Sequence, residues 1–282
     1  MEMKDFYSSD TVAWCHGCGN FGMQTALKAA LVKLGKKPQE LLLVSGIGQA
    51  AKMPHYINTN FFNGLHGRAL PAAAAAKIAN RELTVIVTTG DGDCYGEGGN
   101  HFVHNIRRNT DITVIVHDNQ IYGLTKGQAS PTSEPGMKTK IQPGGVILAP
   151  FPPLETALAL GCGFVARGYA AETEHLAELI LAGIRHKGFS LIDVFQPCHS
   201  FNKLNTFEWY GKRVYKVGPA HDVSNKGAAM TLASERERLP IGVIYNSAKP
   251  SYEELSGLDA MPPLVDSNIN NIDISSALND FR

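Results

Sequence analysis

Long hydrophobic runs, net charge and cysteine are all scarce in this chain. No apolar stretch approaches the roughly 18 residues that a bilayer span requires, so a membrane partner is not expected. Lys plus Arg (26) equal Asp plus Glu (26), which leaves no net field to draw nucleic acid or an anionic surface. Cysteines number five, an odd count, and the N-terminal "MEMKDFYSSD" is polar and acidic rather than a secretory signal. That argues against a disulfide framework and for reduced thiols or metal ligands. Repeats and low-complexity segments are absent as well. Together these absences predict a cytoplasmic globular protein, and 282 residues suffice to bury a sizeable core.

What is present is an alternation. Apolar residues recur at helical spacing from Phe21 to Leu34, and "KLGKKP" follows as a stop signal. "ELLLVSGIG" (40–48) is a short continuous apolar run ending in glycine, the pattern of a strand buried on both faces. "LPAAAAAKIAN" (70–80) predicts a helix. "ELTVIVTTGDGD" (82–93), "DITVIVHDNQIYG" (111–123) and "FSLIDVFQPC" (189–198) predict further strands, the last after a helix over "HLAELILAGIRHKG" (175–188). Strands alternating with helices imply βαβ units, hence an α/β fold with a mostly parallel sheet and helices on both faces. Residues 124–153 are rich in Gly, Pro, Ser and Thr and predict a long functional loop. The body is expected to span 1–248, with 249–282 as a docking tail.

In such sheets ligands bind beyond the carboxyl ends of the strands. Gly46-Ile47-Gly48, Gly90-Asp91-Gly92-Asp93, Asp118-Asn119 and Pro197-Cys198 each follow a predicted strand, so all are expected to face one site. Magnesium takes oxygen ligands, commonly one or two carboxylates plus substrate phosphates. Asp91, Asn119 and the carbonyl of Ile121 supply such oxygens. Glycines beside Asp91 let backbone approach a diphosphate, and a helix starting after Glu97 would aim its N-terminus at the anion. A lone GDG is a common turn; its pairing with Asp118-Asn119, with 25 residues between Gly92 and Asp118, carries more weight.

Cys15 and Cys18, in "AWCHGCGN", suit zinc, a redox dithiol or an iron-sulfur site. No second close pair exists among Cys94, Cys162 and Cys198, which disfavours structural zinc. A position just before a helix suits a dithiol. Taken from the residues alone, the choice stays open.

"WCxGCGNF", "SGIG", "PHY", "GLHGRALP", "GDGD", "GGNHFVHNIRRN", "NQIYGLTKGQASPTS" and "FQPC" follow one another over residues 14–198. In that order they resemble the beta subunit of the 2-oxoacid:ferredoxin oxidoreductases. The resemblance implies a thiamine diphosphate-binding fold holding thiamine diphosphate, Mg2+ and a four-iron four-sulfur cluster. It makes Asp91, Asn119 and the Ile121 carbonyl the magnesium ligands, with His66, Gly67 and Arg68 near the phosphates. Gly48, Gly90, Gly92, Asp93, Gly123 and Leu124 then belong to the cofactor cleft. The cluster would use Cys15, Cys18 and Cys198. Where the family has its remaining cysteine this chain has Gln49, and Cys94, after "GDGD", is the candidate replacement; a three-iron or labile cluster, a non-thiolate fourth ligand and the lack of any cluster are the alternatives, and Cys162 reads as a small buried hydrophobe.

The implied reaction is oxidative decarboxylation of a 2-oxoacid by coenzyme A with electrons passing to ferredoxin, or its reverse. Lys126 and Lys52 are candidates to pair with a distal substrate carboxylate, favouring 2-oxoglutarate over branched-chain acids. No glutamate for the aminopyrimidine is recognisable, so an alpha subunit is expected to complete the site. A non-oxidative decarboxylase subunit, and a non-catalytic assembly subunit, are the alternatives.

Overall fold

The computed structural model describes residues 1–267 and 272–281. Its strands are β1 (Leu41–Ser45), β2 (Asn60–Asn63), β3 (Thr84–Gly90), β4 (Thr113–Asp118), β5 (Ile121–Tyr122), β6 (Gln128–Ala129), β7 (Phe164–Tyr169), β8 (Ser190–Phe195), β9 (Val214–Lys216) and β10 (Leu239–Asn246). Eight of them form one sheet in the order β2-β1-β3-β4-β8-β7-β10-β9, while β5 and β6 make a small hairpin. Every pairing in the large sheet is parallel except β7 with β10. The mostly parallel α/β sheet expected from the sequence is therefore the fold.

The continuous apolar runs become buried strands because both faces are covered. Leu41, Leu43, Ile86, Ile115, Ile192 and Val194 point to one core. Their neighbours Val44, Val85, Val87, Val114, Val116 and Leu191 point to the other. That is the alternation a pleated strand imposes, and each such side chain contributes roughly 1.5–3 kcal/mol on burial. Helices α1 (Asn20–Leu34) and α5 (Thr173–Arg185) cover the first face. Helices α2 (Ala69–Ala79), α3 (Gly99–Arg108), α4 (Pro153–Ala159) and α7 (Lys226–Ala233) cover the second, with α6 (Phe207–Gly211) at the β9 end. Gly35 ends α1 in the left-handed conformation, φ 78°, which a side chain would oppose.

Hydrogen bonds tie the chain just past the expected boundary at 248 to the rest of the molecule. Asn109 Nδ2 donates to the Pro250 carbonyl (2.9 Å), the Tyr252 amide donates to the Asn109 carbonyl (3.1 Å), and the Asp111 amide donates to buried Glu253 (3.2 Å). The chain from Pro250 through α8 (Tyr252–Leu255) is thus tied to the loop between α3 and β4. Among the described residues no helix is long and apolar enough to cross a membrane.

Candidate active site

Parallel strands deliver their carboxyl ends to one edge, and there β1, β3 and β4 open a cleft. Its lining includes Ile47, Gly48, Gln49 and Ala50 after β1, and Gly90, Asp91, Gly92 and Asp93 after β3. Asn119, Ile121, Tyr122, Gly123 and Leu124 after β4, together with His66, complete it. Of the four strand ends expected to face one site, those of β1, β3 and β4 line this cleft.

Asp93 is the clasp of this edge. Its Oδ1 accepts from the Gly67 amide (2.7 Å) and the Ile47 amide (3.2 Å), and its Oδ2 from Thr89 Oγ1 (2.7 Å). His66 Nδ1 stands 2.7 Å from the same Oδ1, without hydrogen-bond alignment. One buried carboxylate thereby joins three loops. Gly46 is required beside it, since a Cβ there would lie 2.2 Å from Asp93 Oδ2.

Asp91 follows β3 directly and begins a π-helical turn, Gly92–Glu97, that runs into α3. Helical backbone thus begins at the acidic residue, earlier than the start after Glu97 that the sequence suggests. Ser130 Oγ and Thr132 Oγ1 (2.6 Å) both donate to Asp91 Oδ2. Burial pushes the Asp91 carboxyl up to about 6, and these two hydroxyls pull against that rise. Thr132 Oγ1 also lies 2.7 Å from Asp118 Oδ1. A hydroxyl has one proton, so it can donate to only one of these two carboxylates. The other must carry a proton itself, and burial together with the charges of Asp193 and Asp91 pushes Asp118 well above the usual carboxylate range.

After β4 the chain makes a tight turn. Gln120 takes φ 58°, and the Ile121 amide donates to Asn119 Oδ1 (3.1 Å). Asn119 Nδ2 donates to Gln196 Oε1 (3.2 Å) beyond β8. Asp91, Asn119 and Ile121 thus line one cleft, and their carboxylate, amide and carbonyl oxygens are the donor types that magnesium takes. The residues fit a magnesium-diphosphate group.

A second pocket adjoins the first and shares its wall of Gln49, Asn119 and Gly123. It is lined by Cys15 and Cys18 from the loop before α1, and by Cys198 after β8. Burial pushes the Cys18 thiol up to about 11, aided by the neighbouring Cys198 and Cys15. Gln196 Nε2 donates to Cys18 Sγ (3.6 Å). Among the described residues no three His, Cys, Asp or Glu side chains form a group around a single ion. Cluster thiolates bind different irons and stand farther apart than the ligands of one ion, so three thiols around one pocket fit three corners of a cluster.

Four residues expected at the site lie outside the lining of both pockets. Cys94 is fully buried with Val44, Val87 and Phe102 in the core beneath α2 and α3, because the π turn rotates its side chain inward. It does not line the cysteine pocket. Arg68 is exposed at the start of α2 and lines a separate open groove with Phe62, Leu65 and Pro71. Lys52 sits on the 3-10 turn Ala50–Tyr56, and Lys126 is exposed at the hairpin tip with φ 81°. Neither lysine lines the cleft. Sequence reasoning also assigned no role to Ser130, Thr132 or Gln196; the quoted "SPTS" and "FQPC" segments were the available signal.

The C-terminal thiamine pyrophosphate-binding domain of thiamine pyrophosphate enzymes matches residues 43–194, and the C-terminal region of the pyruvate ferredoxin oxidoreductase beta subunit matches 198–258. A 2-oxoacid:ferredoxin oxidoreductase beta subunit from Sulfolobus is 46% identical over 256 residues, covering 86% of this chain and 84% of the relative. This chain belongs to that beta-subunit family. The 2-oxoglutarate oxidoreductase subunit KorB of Mycobacterium tuberculosis is 41% identical over 199 residues, 71% of this beta subunit and 53% of the relative. A solved 2-oxoglutarate:ferredoxin oxidoreductase from Magnetococcus marinus, with 2-oxoglutarate, coenzyme A and succinyl-CoA bound, superposes with a TM-score of 0.92 at 34% identity. That superposition covers 100% of this beta subunit and 96% of the solved chain. Its fold is that of the thiamine diphosphate-binding domain.

Proposed function

We propose that this beta subunit binds thiamine diphosphate through Mg2+ and, with an alpha subunit, catalyses the coenzyme A-dependent oxidative decarboxylation of a 2-oxoacid or its reverse. The electrons leave one at a time through an iron-sulfur cluster to ferredoxin. The observation that carries this reading is the common wall of Gln49, Asn119 and Gly123 between the diphosphate cleft and the cysteine pocket. Cofactor and cluster would be neighbours, which short-range electron transfer requires.

Asp91, Asn119 and the Ile121 carbonyl would hold the magnesium, while Gly90 and Gly92 let backbone approach the phosphates. Bound thiamine diphosphate supplies a nucleophilic carbon and an electron sink for loss of carbon dioxide. The protein's part is to fix it. Asp93 keeps the β1 and β3 loops together, Ser130 and Thr132 hold the Asp91 carboxylate in place, and His66 stands at the mouth. The relatives named for 2-oxoglutarate favour that substrate. The cleft has no lysine or arginine among its described lining residues. A countercharge for a distal carboxylate would then be supplied by the partner subunit.

The test is the complex of this chain with its alpha subunit, purified without oxygen. We expect coenzyme A-dependent reduction of ferredoxin with 2-oxoglutarate, and no turnover by the beta subunit alone. Carbon dioxide release without reduction of any acceptor would replace this reading by a non-oxidative decarboxylase.

A further inference from the structure

The cysteine pocket is lined by three thiols and four carboxamides, and the side-chain oxygens of Asn20, Asn119 and Gln196 already have hydrogen-bond partners while that of Gln49 has none. Cys15 and Cys18 come from the N-terminal loop, Cys198 from the end of β8, and Gln49 from the turn after β1. Gln49 is firmly seated, because Trp14 Nε1 donates to its backbone carbonyl (2.9 Å). Its side-chain Oε1 is buried without a hydrogen-bond partner. A Cβ built on Gly123 would be 3.9 Å from both Gln49 Cγ and Cys198 Sγ, so the amide side chain and the third thiol flank the same glycine. An acceptor buried without a donor costs about 1–3 kcal/mol, and a metal is one partner that would satisfy it.

No other thiol can take that corner. Cys94 and Cys162 are both fully buried in the core on the other side of the sheet. Reaching the pocket would require rebuilding the π turn that holds Cys94 or the segment between α4 and β7 that holds Cys162.

We infer that this pocket holds an iron-sulfur cubane by three thiolates, Cys15, Cys18 and Cys198, with Gln49 facing the fourth iron. The inference rests on the proposed function and adds a site-differentiated iron to it. A neutral amide oxygen is a harder and weaker ligand for cluster iron than a thiolate. Two consequences follow from that exchange of ligands. The fourth iron leaves more readily than the other three. The cluster also carries one negative charge fewer than a four-thiolate cluster, which raises its reduction potential.

Loss of the fourth iron balances as [4Fe–4S]2+ going to [3Fe–4S]+ with release of one Fe2+ and one electron. Ferricyanide, the oxidant in the test, accepts that electron, and all four sulfides stay.

The experiment compares anaerobically purified complexes carrying wild-type beta subunit, Gln49→Cys or Cys15→Ser. The Cys15→Ser complex supplies the background from any cluster in the partner. Iron, sulfide, bound thiamine diphosphate and the electron paramagnetic resonance spectrum are measured before and after one equivalent of ferricyanide. We expect wild type to lose one iron per beta subunit, keep its sulfide and develop a three-iron signal that added Fe2+ reverses. Gln49→Cys should keep all four irons and show a lower reduction potential. Equal resistance of wild type and Gln49→Cys would overturn the inference. So would iron no higher than background in both; thiamine diphosphate still bound would then leave the cofactor reading standing, and its absence would remove both.

Discussion

A carboxylate buried as deeply as Asp91 takes up a proton at higher pH than an ordinary one. Burial raises it from an ordinary 3.8 to about 6. In the metal-free chain a raised carboxyl contributes stability that is fully present below pH 3.8 and lost as pH rises through about 6. A divalent cation binds the ionised form, so the sign reverses for the cofactor. Retention of thiamine diphosphate with Mg2+ should weaken as pH falls through about 6, read by fluorescence titration. Asp91→Asn should abolish that step and weaken retention at least about tenfold, the range for disturbing a metal's ligand set. A wild-type titration flat across that range would remove Asp91 from the metal. Thr132→Val takes away a hydroxyl that lowers the Asp91 value. The same step should then move to higher pH, and stability should drop by about 1–3 kcal/mol in urea unfolding. Asp91 was legible because a conspicuous tripeptide surrounds it. Its hydroxyl partners lie 39 and 41 residues away, and no local spacing links them to it.

The element that shapes the cleft is the π turn Gly92–Glu97 packed against the β5–β6 hairpin. A Cβ on Gly92 would lie 2.2 Å from the Tyr122 ring, and Tyr122 Oη donates to Glu97 Oε2 (3.1 Å). Gly92→Ala should push the hairpin off the turn, at a cost of about 1–3 kcal/mol for overpacking. Thiamine diphosphate binding should fall while the far-ultraviolet circular dichroism stays that of the folded sheet. Retained binding would mean that Tyr122 can swing away freely. Helix and strand patterning was readable wherever runs were uninterrupted, as in β3 and β4. It failed for β10, "LPIGVIYN", where Pro240 and Gly242 look like breakers. There Gly242 pairs with Arg167 of antiparallel β7, just before a register shift between Val243 and Tyr245, and Pro240 pairs with Tyr215 of the short edge strand β9. The edge strand β2 is exposed along its length and carries no apolar alternation to detect.

For the whole molecule, the body extends past residue 248. Truncation after Ser247 would leave the Asn109 carbonyl and the Asp111 amide without their partners at Tyr252 and Glu253. At about 1–3 kcal/mol per buried group left unpaired, that variant should unfold several degrees lower. A chain ending at Gly257 keeps both partners and should recover most of that loss. Equal melting temperatures in a thermal scan would restore the boundary at 248. The family model that spans 198–258 also crosses that point.

The sequence alone determined the α/β class and the gathering of glycine, acid and amide residues at one edge, because a parallel sheet sends every strand's carboxyl end the same way. It also determined the three cysteines that belong together, through the order of the motifs. Only the tertiary structure decided that Cys94 points into the opposite core, that Arg68, Lys52 and Lys126 stand outside the cleft, and that Gln49 takes a place among the thiols. Side-chain direction after a strand depends on the turn that follows it, here a π turn after β3 and a 3-10 turn after β1. The seating of that turn is set by contacts such as Asp93 with Gly67 and Trp14 with Gln49, between residues far apart in the chain.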